Sequence, residues 1–156
     1  MTIIRRLDHV ALVVSDTREA LEYFSGNLGL RVAHEEELQS PRVRLTYLDV
    51  GNAFIQLVEP LDADSDIAQT LRTGGEGVHH LCFGVRSVSD AIKALSDPMS
   101  TPPPLGQGRG RVSGFVADGA PYGIRVECTE FSFAKDVQQL AGWLPDSGPS
   151  QQGDPE

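Results

Sequence analysis

The chain has 156 residues, with 13 Lys and Arg against 22 Asp and Glu, so its formal net charge is −9 at pH 7. This length suits one ordinary domain, and two cysteines are too few for a disulfide framework or a Cys-rich zinc site. A chain this acidic lacks the basic face that nucleic acids and anionic membranes attract. No apolar stretch reaches the ~20 residues of a membrane span. Because Asp8 and His9 interrupt the first apolar run, no secretory signal is indicated, and we expect a cytoplasmic protein.

The first copy of an internal repeat begins near the start of the chain. Its apolar pattern predicts a strand, a helix and three further strands, separated by turns at Ser40-Pro41 and Gly51-Asn52. The predicted elements are a strand at His9–Val14, a helix at Thr17–Asn27, and strands at Arg31–Leu38, Arg42–Val50 and Ala53–Glu59.

The second copy follows at an offset of 71 residues. The segments LDHVALVVSDTREALEYF and VHHLCFGVRSVSDAIKAL share a strand and an amphipathic helix in phase, and the offset that places His9 on His80 also places Gln56 on Glu127. The second strand of this copy is degenerate, because the prolines of Thr101–Pro104 do not fit the middle of a sheet. The other predicted elements are strands at Val78–Val85, Arg111–Ala117 and Gly123–Thr129 and a helix at Val88–Ser96.

The repeat predicts an α+β fold of two tandem βαβββ modules, whose sheet has one concave face if each module curls into a half-barrel. Residues 1–130 make the duplicated domain, with modules at about 5–60 and 77–130. The linker 60–76 contains a short helix, Ser65–Arg72, capped by Ser65. Residues 131–156 form a C-terminal extension, in which a short helix at Ala134–Leu144 precedes a disordered tail, Pro145–Glu156.

Strand alternation brings four polar residues to one face of the predicted sheet. Side chains two residues apart share a face, so His9 and His80 lie on the same side as Gln56 and Glu127 once the modules curl. Imidazole and oxygen ligands suit a divalent metal, and a site with one carboxylate keeps enough positive charge to stabilise an enolate. The alternative is that each histidine is buried and bonded to the backbone, but clustering of ligand types favours the metal site.

Two further motifs have weaker interpretations. His79 is expected to point away from His80, and it becomes the ligand only if the strand register slips by one residue. The run Gly106–Arg111 follows a Pro-rich segment and not a strand, so it is not a dinucleotide-binding loop. It is expected to be a mobile loop whose two arginines offer a phosphate clamp.

The motifs of the two copies resemble a known superfamily. LDHVALVV, QLVEPLDADSDIA, GEGVHHLCF and the final RVE are similar to vicinal oxygen chelate proteins, the glyoxalase/bleomycin-resistance/dioxygenase superfamily, and within it to methylmalonyl-CoA epimerases. The likeness covers about residues 7–130. It implies that the two βαβββ modules form a split-barrel-like, metal-centred cavity, and it implies a homodimer with a divalent metal (Co, Zn, Ni, Mn or Mg). By resemblance, His9, Gln56, His80 and Glu127 take the metal-ligand positions.

The resemblance implies an isomerase that epimerises the α-carbon of a short-chain acyl-CoA thioester by 1,1-proton transfer through a metal-stabilised enolate. Several bacterial epimerases present a glutamate base on the third strand, where this chain has Leu45. Glu127 and Tyr47 are then the expected acid–base groups. Arg125 is expected to face the cavity and grip a substrate carboxylate or phosphate, or else to form a salt bridge at the rim.

Two other functions stay open on the same fold. One is a lyase, cyclase or dioxygenase of specialised metabolism, and the other is a resistance protein that binds a small molecule. Metal binding distinguishes these functions, because a resistance protein that only binds a small molecule needs no metal, whereas the enzymes do. His80→Ala is expected to abolish metal binding, and His79→Ala is not.

Overall fold

The structure, a computed structural model, describes residues 2–117 and 121–132. The first strand begins at Ile4 and not at the predicted His9, and the other long strands lie close to their predicted positions. The predicted helix Thr17–Asn27 is an α-helix that continues as a π-helical segment. In chain order the elements are β1 (Ile4–Val13), α1 (Thr17–Leu21), the π-helical segment (Glu22–Asn27), β2 (Arg31–Gln39), β3 (Arg42–Asp49), β4 (Phe54–Pro60), α2 (Asp66–Gly74), β5 (Gly77–Val85), α3 (Val88–Leu95), β6 (Gly106–Gly108), β7 (Arg111–Phe115), a 3₁₀ turn (Pro121–Gly123) and β8 (Arg125–Glu130).

The strands form one mixed sheet in the order β2-β3-β4-β1-β5-β8-β7-β6. We call β1–β4 the first half-sheet and β5–β8 the second. Each has a parallel central pair, β1 with β4 and β5 with β8, and the antiparallel pair β1 with β5 joins them. The sheet curls so that its two edge strands approach each other. A hydrogen bond shows this approach, since the backbone N–H of Arg109 after β6 donates to Glu36 Oε1 on β2 at 2.7 Å. The predicted α+β fold class is confirmed.

Side-chain caps fix where the helices begin. Each cap is a Ser or Asp side chain that accepts a hydrogen bond from a backbone N–H of the first turn, which otherwise has no helical partner. The predicted cap at Ser65 is confirmed. The capping pairs are Asp16 with Glu19, Ser65 with Ala68, and Ser87 with Asp90.

The convex face of the first half-sheet packs on α1 and the π-helical segment. Leu12 and Val14 point to this side, as strand alternation predicts, and contact a cluster with Leu48 and Leu57, both fully buried. Burial of each such leucine contributes about 1.5–3 kcal/mol. This packing leaves the opposite, concave face of β1 free to carry His9.

The second half-sheet packs closely on α3 at a glycine of β7. A Cβ on Gly114 of β7 would lie 2.6 Å from Ile92 Cδ1 and 2.7 Å from Leu105 Cδ2. Because these distances are shorter than atomic contacts allow, the glycine permits the close approach of α3 to β7.

The degenerate strand of the second copy is present as the three-residue β6, which pairs with β7. The expectation that Gly106–Arg111 is a mobile loop is therefore wrong. Gly106–Gly108 forms a strand, Arg109 and Gly110 form the turn, and Arg111 begins β7. The register pairs Gly108 with Arg111, so this run is a short hairpin.

No helix of residues 2–117 and 121–132 is long and apolar enough to cross a membrane. The predicted helix Ala134–Leu144 and the tail Pro145–Glu156 lie outside the described residues.

Candidate metal centre

The centre of the curled sheet brings the four predicted ligand positions together. Ala11 of β1 lies opposite His80 on β5 and level with Gln56 on β4. His9 is two residues from Ala11 and shares its face, and Glu127 lies on β8, the other neighbour of β5. Three of the four are buried, and the side chain of Glu127 is 12% exposed.

Three ligand-type atoms converge on one point. His80 Nε2 lies 3.1 Å from Glu127 Oε2, His9 Nε2 lies 3.4 Å from the same oxygen, and the two Nε2 atoms are 3.3 Å apart. Bonds of about 2.0–2.1 Å to a tetrahedral ion place neighbouring ligand atoms roughly 3.3 Å apart. The three residues also form a group that could hold a metal ion. The spacing and the chemistry of the donors therefore fit a divalent cation.

The carboxylate of Glu127 is held in its charged form. Burial alone raises the pKa of Glu127, but hydrogen bonds with His80 and His9 outweigh burial and hold the pKa well below its ordinary value. An ionised carboxylate between two imidazoles is the form that binds a cation.

Gln56 adds a fourth polar group through a contact with Tyr47. Gln56 Nε2 donates to the Tyr47 hydroxyl at 2.7 Å, which leaves the amide oxygen as the atom available to a cation. Burial raises the pKa of Tyr47 above its ordinary value, although the charge of Arg109 lowers it in part. Tyr47 is therefore a neutral phenol at neutral pH.

Asp8 sets the orientation of the His9 ring. Asp8 Oδ2 lies 2.8 Å from His9 Nδ1, and since a carboxylate only accepts, Nδ1 carries a proton, so Nε2 is the nitrogen that a cation would bind in place of the proton it shares with Glu127. Burial alone raises the pKa of Asp8, but the hydrogen bond from His9 and the charge of Arg109 outweigh burial, so the pKa lies below its ordinary value. Conversely, burial lowers the pKa of His9, and the bonds to Asp8 and Glu127 raise it above its ordinary value.

His79 does not point away from His80, so that expectation is wrong. The β1–β5 register pairs Ala11 with His80 and then Leu12 with Val78, which leaves His79 in a bulge. Its Nδ1 lies 2.8 Å from His80 Nδ1. Burial, with His80 and Arg125 nearby, lowers the pKa of His79 to about 4, so the ring is neutral and has a nitrogen that accepts. His80 Nε2 still faces His9 and Glu127, so His80 is the ligand candidate of the pair.

Two other expected positions, Arg125 and Leu45, lie on strands of different half-sheets. Arg125 is exposed, is level with His80 in the register, and places Nη1 3.5 Å from His79 Nε2. Leu45 is buried in an apolar cluster with Tyr47 and Val58. Leu45, at the third-strand position where several epimerases have a glutamate, is thus part of an apolar wall.

The sequence reasoning missed Asp8 as a site residue and gave Arg109 only as a clamp in a mobile loop. The Arg109 guanidinium bonds Asp8 and lies over the rings of Tyr47 and Phe54, at 4.5 and 5.1 Å from their centroids. Asp8 was missed because plain alternation places it opposite His9, whereas a register shift between Leu7 and His9 brings it back. Its position directly before the histidine was the available signal.

The curled sheet of paired βαβββ units around a central His, His and Glu group has the form that the resemblance to the vicinal oxygen chelate superfamily implies, and the sequence profile agrees. The chain belongs to the glyoxalase/bleomycin resistance protein/dioxygenase superfamily, whose profile matches residues 8–110. Glu127 lies beyond this match, so its place at the centre rests on the structure.

The chain is similar to two curated proteins and to a solved epimerase structure. The chain is 34% identical over 92 residues to the uncharacterized protein YqjC of Bacillus subtilis, and 33% identical over 91 residues to human mitochondrial methylmalonyl-CoA epimerase. These matches span 59% and 58% of this chain, and 66% and 52% of the relatives' own lengths. A variant of Streptomyces coelicolor methylmalonyl-CoA epimerase in complex with 2-nitronate-propionyl-CoA superposes with a TM-score of 0.75 at 26% identity, covering 83% of this chain and 96% of that one.

Proposed function

We propose that this protein is a divalent-metal-dependent isomerase that transfers a proton at the α-carbon of a short-chain acyl-CoA thioester of the methylmalonyl-CoA type. The observation that carries the proposal is the convergence of His9, His80 and Glu127 within 3.4 Å of one another in a buried centre. The names of the epimerase relatives and the CoA ligand of the S. coelicolor structure support the substrate class.

Four residues are proposed as ligands of the cation, and a fifth orients one of them. His9, His80, Glu127 and the Gln56 amide oxygen would hold the cation, which when bound supplies Lewis-acid stabilisation of negative charge on the thioester oxygen. The Asp8 carboxylate accepts from His9 Nδ1, so that Nε2 is the nitrogen that faces the cation.

Proton transfer at one carbon needs an acceptor on one face and a donor on the other. Glu127, an ionised carboxylate at the centre, takes the acceptor role. Tyr47, whose pKa is raised by burial, keeps its proton at neutral pH and takes the donor role. Leu45 contributes the apolar wall that keeps water from the reacting carbon.

Exchange of the α-proton tests the proposal directly. Protein loaded with Co²⁺ is incubated with methylmalonyl-CoA in D₂O, and deuterium at the α-carbon is followed by mass spectrometry. We expect exchange well above the buffer rate, with roughly a hundredfold loss in Tyr47→Phe, because a positioned acid or base contributes about 10²–10⁴-fold.

Tyr23→Phe is the matched control, because Tyr23 is exposed and belongs to the π-helical segment. It should exchange at the wild-type rate. Metal-loaded wild-type protein that exchanges no faster than buffer contradicts the proposed function.

A further inference from the structure

The candidate metal centre is covered on its concave side. His9, Gln56, His80 and Tyr47 are each at most 5% exposed. The helix α1 is not this cover, because it packs on the opposite, convex face of the first half-sheet. A ligand that binds at the centre has to reach these side chains and bury most of its own surface against them. Part of the cover therefore has to move before an acyl group binds.

The turn between β6 and β7, residues 108–110, is part of the cover, and we call it the 108–110 turn. A Cβ on Gly108 would lie 3.0 Å from the Tyr47 hydroxyl, so the backbone of the turn lies directly against that group. The Arg109 guanidinium carbon lies 4.5 and 5.1 Å from the ring centroids of Tyr47 and Phe54. Tyr47 is the proposed proton donor, and it does not reach a substrate carbon while the turn is in this position.

Two polar contacts hold the 108–110 turn in place. The backbone N–H of Arg109 donates to Glu36 Oε1 on β2 at 2.7 Å, and the Arg109 guanidinium donates to Asp8 on β1. Both acceptors belong to the first half-sheet, whereas the turn belongs to the second, so these contacts bridge the open side of the curled sheet. The Glu36 side chain is 21% exposed, so water can replace its contact when the turn moves.

The backbone of the turn is suited to movement. Arg109 has a φ of 54° and Gly110 a φ of 68°. A left-handed residue other than glycine is strained, and it keeps this conformation where surrounding contacts impose it. The strand β6 before the turn has three residues, lies at the edge of the sheet and pairs with β7 alone. Loss of the contacts with Glu36 and Asp8 would therefore release the turn and relax the strain at Arg109.

We propose that the 108–110 turn is a gate, which closes the candidate centre in the ligand-free protein and is displaced when an acyl group binds. This rests on the proposed function, because the acyl group needs the contact with Tyr47 that the turn now makes. A closed state that excludes the ligand lowers the apparent affinity in proportion to the open fraction of the molecules. A weaker closing contact should therefore strengthen ligand binding.

Calorimetric titration of the Co²⁺-loaded protein with methylmalonyl-CoA tests the sign of this effect. Glu36→Ala removes the acceptor of the Arg109 N–H and leaves the four proposed ligands in place. We expect its Kd to fall about three- to tenfold, which corresponds to the loss of one hydrogen bond from the closed state. Glu36→Gln keeps an acceptor oxygen and should show a smaller gain. A purely structural contact predicts unchanged or weaker binding in Glu36→Ala.

Glu37→Ala is the matched control for charge. Glu37 follows Glu36 on β2, pairs with Arg44 at an exposed position and makes no contact with the turn among the contacts of the described residues. Its removal changes the net charge by the same amount as Glu36→Ala. Glu37→Ala should bind methylmalonyl-CoA as wild type does, which separates release of the turn from reduced repulsion of an anionic ligand.

Hydrogen exchange in the wild-type protein gives a second measurement, which holds even if Glu36→Ala folds poorly. Mass spectrometry of a peptide that covers residues 106–112 should show faster exchange with methylmalonyl-CoA bound than without it, because the ligand displaces the turn. Slower exchange on binding, or a Kd for Glu36→Ala no lower than that of wild type, overturns the gate.

The same experiments separate the gate from the proposed function. Tighter binding in Glu36→Ala without α-proton exchange in the wild-type protein would contradict the proposed function alone. Exchange at the α-carbon with no gain in Glu36→Ala would contradict the gate alone. If methylmalonyl-CoA binds neither wild type nor Glu36→Ala, both proposals are wrong.

Discussion

At the scale of single residues, the duplication repeats a bulge as well as a ligand. Asp8 and His79 each directly precede a candidate ligand histidine, each lies at a register shift between β1 and β5, and each places a polar atom 2.8 Å from the Nδ1 of the following ring. His79 is therefore the counterpart of Asp8 in the second copy. Each contact fixes the ring that follows it, but the direction differs. Asp8 accepts from His9 Nδ1, whereas Arg125 donates to His79 Nε2, which leaves His79 Nδ1 as the N–H that faces His80.

This equivalence makes a prediction for His79. His79→Ala keeps the ligand set but removes the ring that contacts His80 Nδ1 and orients this ligand, so Co²⁺ affinity should fall about 10- to 100-fold without being abolished. His79→Asn again places a hydrogen-bonding group beside His80 Nδ1 and should recover part of the affinity. His80→Ala should abolish binding. Competition with a colorimetric chelator measures all three.

His34→Ala is the matched control, because this histidine is exposed on β2 and should bind Co²⁺ as wild type does. Wild-type affinity in His79→Ala would show that the ring only fills space. Loss of binding in His79→Ala with retention in His80→Ala would show that the ligand assignment is reversed.

Single residues also show how far sequence reasoning reached. Alternation with period two was enough to bring His9, Gln56, His80 and Glu127 to one face, because those strand segments are regular between the bulges. Asp8 was missed because a bulge depends on which strand pairs alongside, and this pairing leaves no mark in the apolar pattern.

At the scale of elements, α1 is attached to β4 through one carboxylate. Thr17 donates to Glu59 Oε2 through its backbone N–H at 3.2 Å and its hydroxyl at 2.6 Å, and Arg44 Nη1 donates to the same oxygen at 3.1 Å. Since α1 covers the face of β1 opposite His9, this contact supports the strand that carries a candidate ligand.

Removal of that carboxylate should be measurable. Glu59→Ala loses hydrogen bonds to a charged, half-buried group, so the free energy of unfolding should fall by about 2 kcal/mol in urea denaturation. Glu37→Ala is the control, because Glu37 pairs with the same Arg44 at an exposed position and should cost at most about 0.5 kcal/mol. Equal losses in the two variants would mean that the link to Thr17 contributes nothing.

The accuracy of element prediction followed the strength of the local signal. The helices with Ser caps began where expected, because a cap is a contact within four residues. The short strand Gly106–Gly108 was misread as a loop, since glycine-rich sequence has low strand propensity and is held here by pairing with β7. Contacts made by distant strands override such propensities.

At the scale of the whole molecule, the candidate centre lies between the two half-sheets and takes ligands from both. His9 and Gln56 belong to the first half-sheet, and His80 and Glu127 belong to the second. The β1–β5 pair already joins the halves through backbone hydrogen bonds. A cation held by both halves would add a second connection that exists only in the folded state, so metal binding and global stability should be linked.

Thermal unfolding with and without Co²⁺ measures this link. A ligand at 100 times its dissociation constant stabilises the folded state by about 2.7 kcal/mol. For a chain of this size that corresponds to a rise in Tm of roughly 5–10 °C, which EDTA should reverse. His9→Ala and His80→Ala should each remove the rise, although they lie on different half-sheets, because each takes away one corner of the same three-atom group. If only one of these two variants lost the rise in Tm, the cation would bind within a single half-sheet, and the prediction of a centre shared by both half-sheets would be wrong. A Tm that Co²⁺ leaves unchanged in the wild-type protein would contradict metal binding, and with it the proposed chemistry.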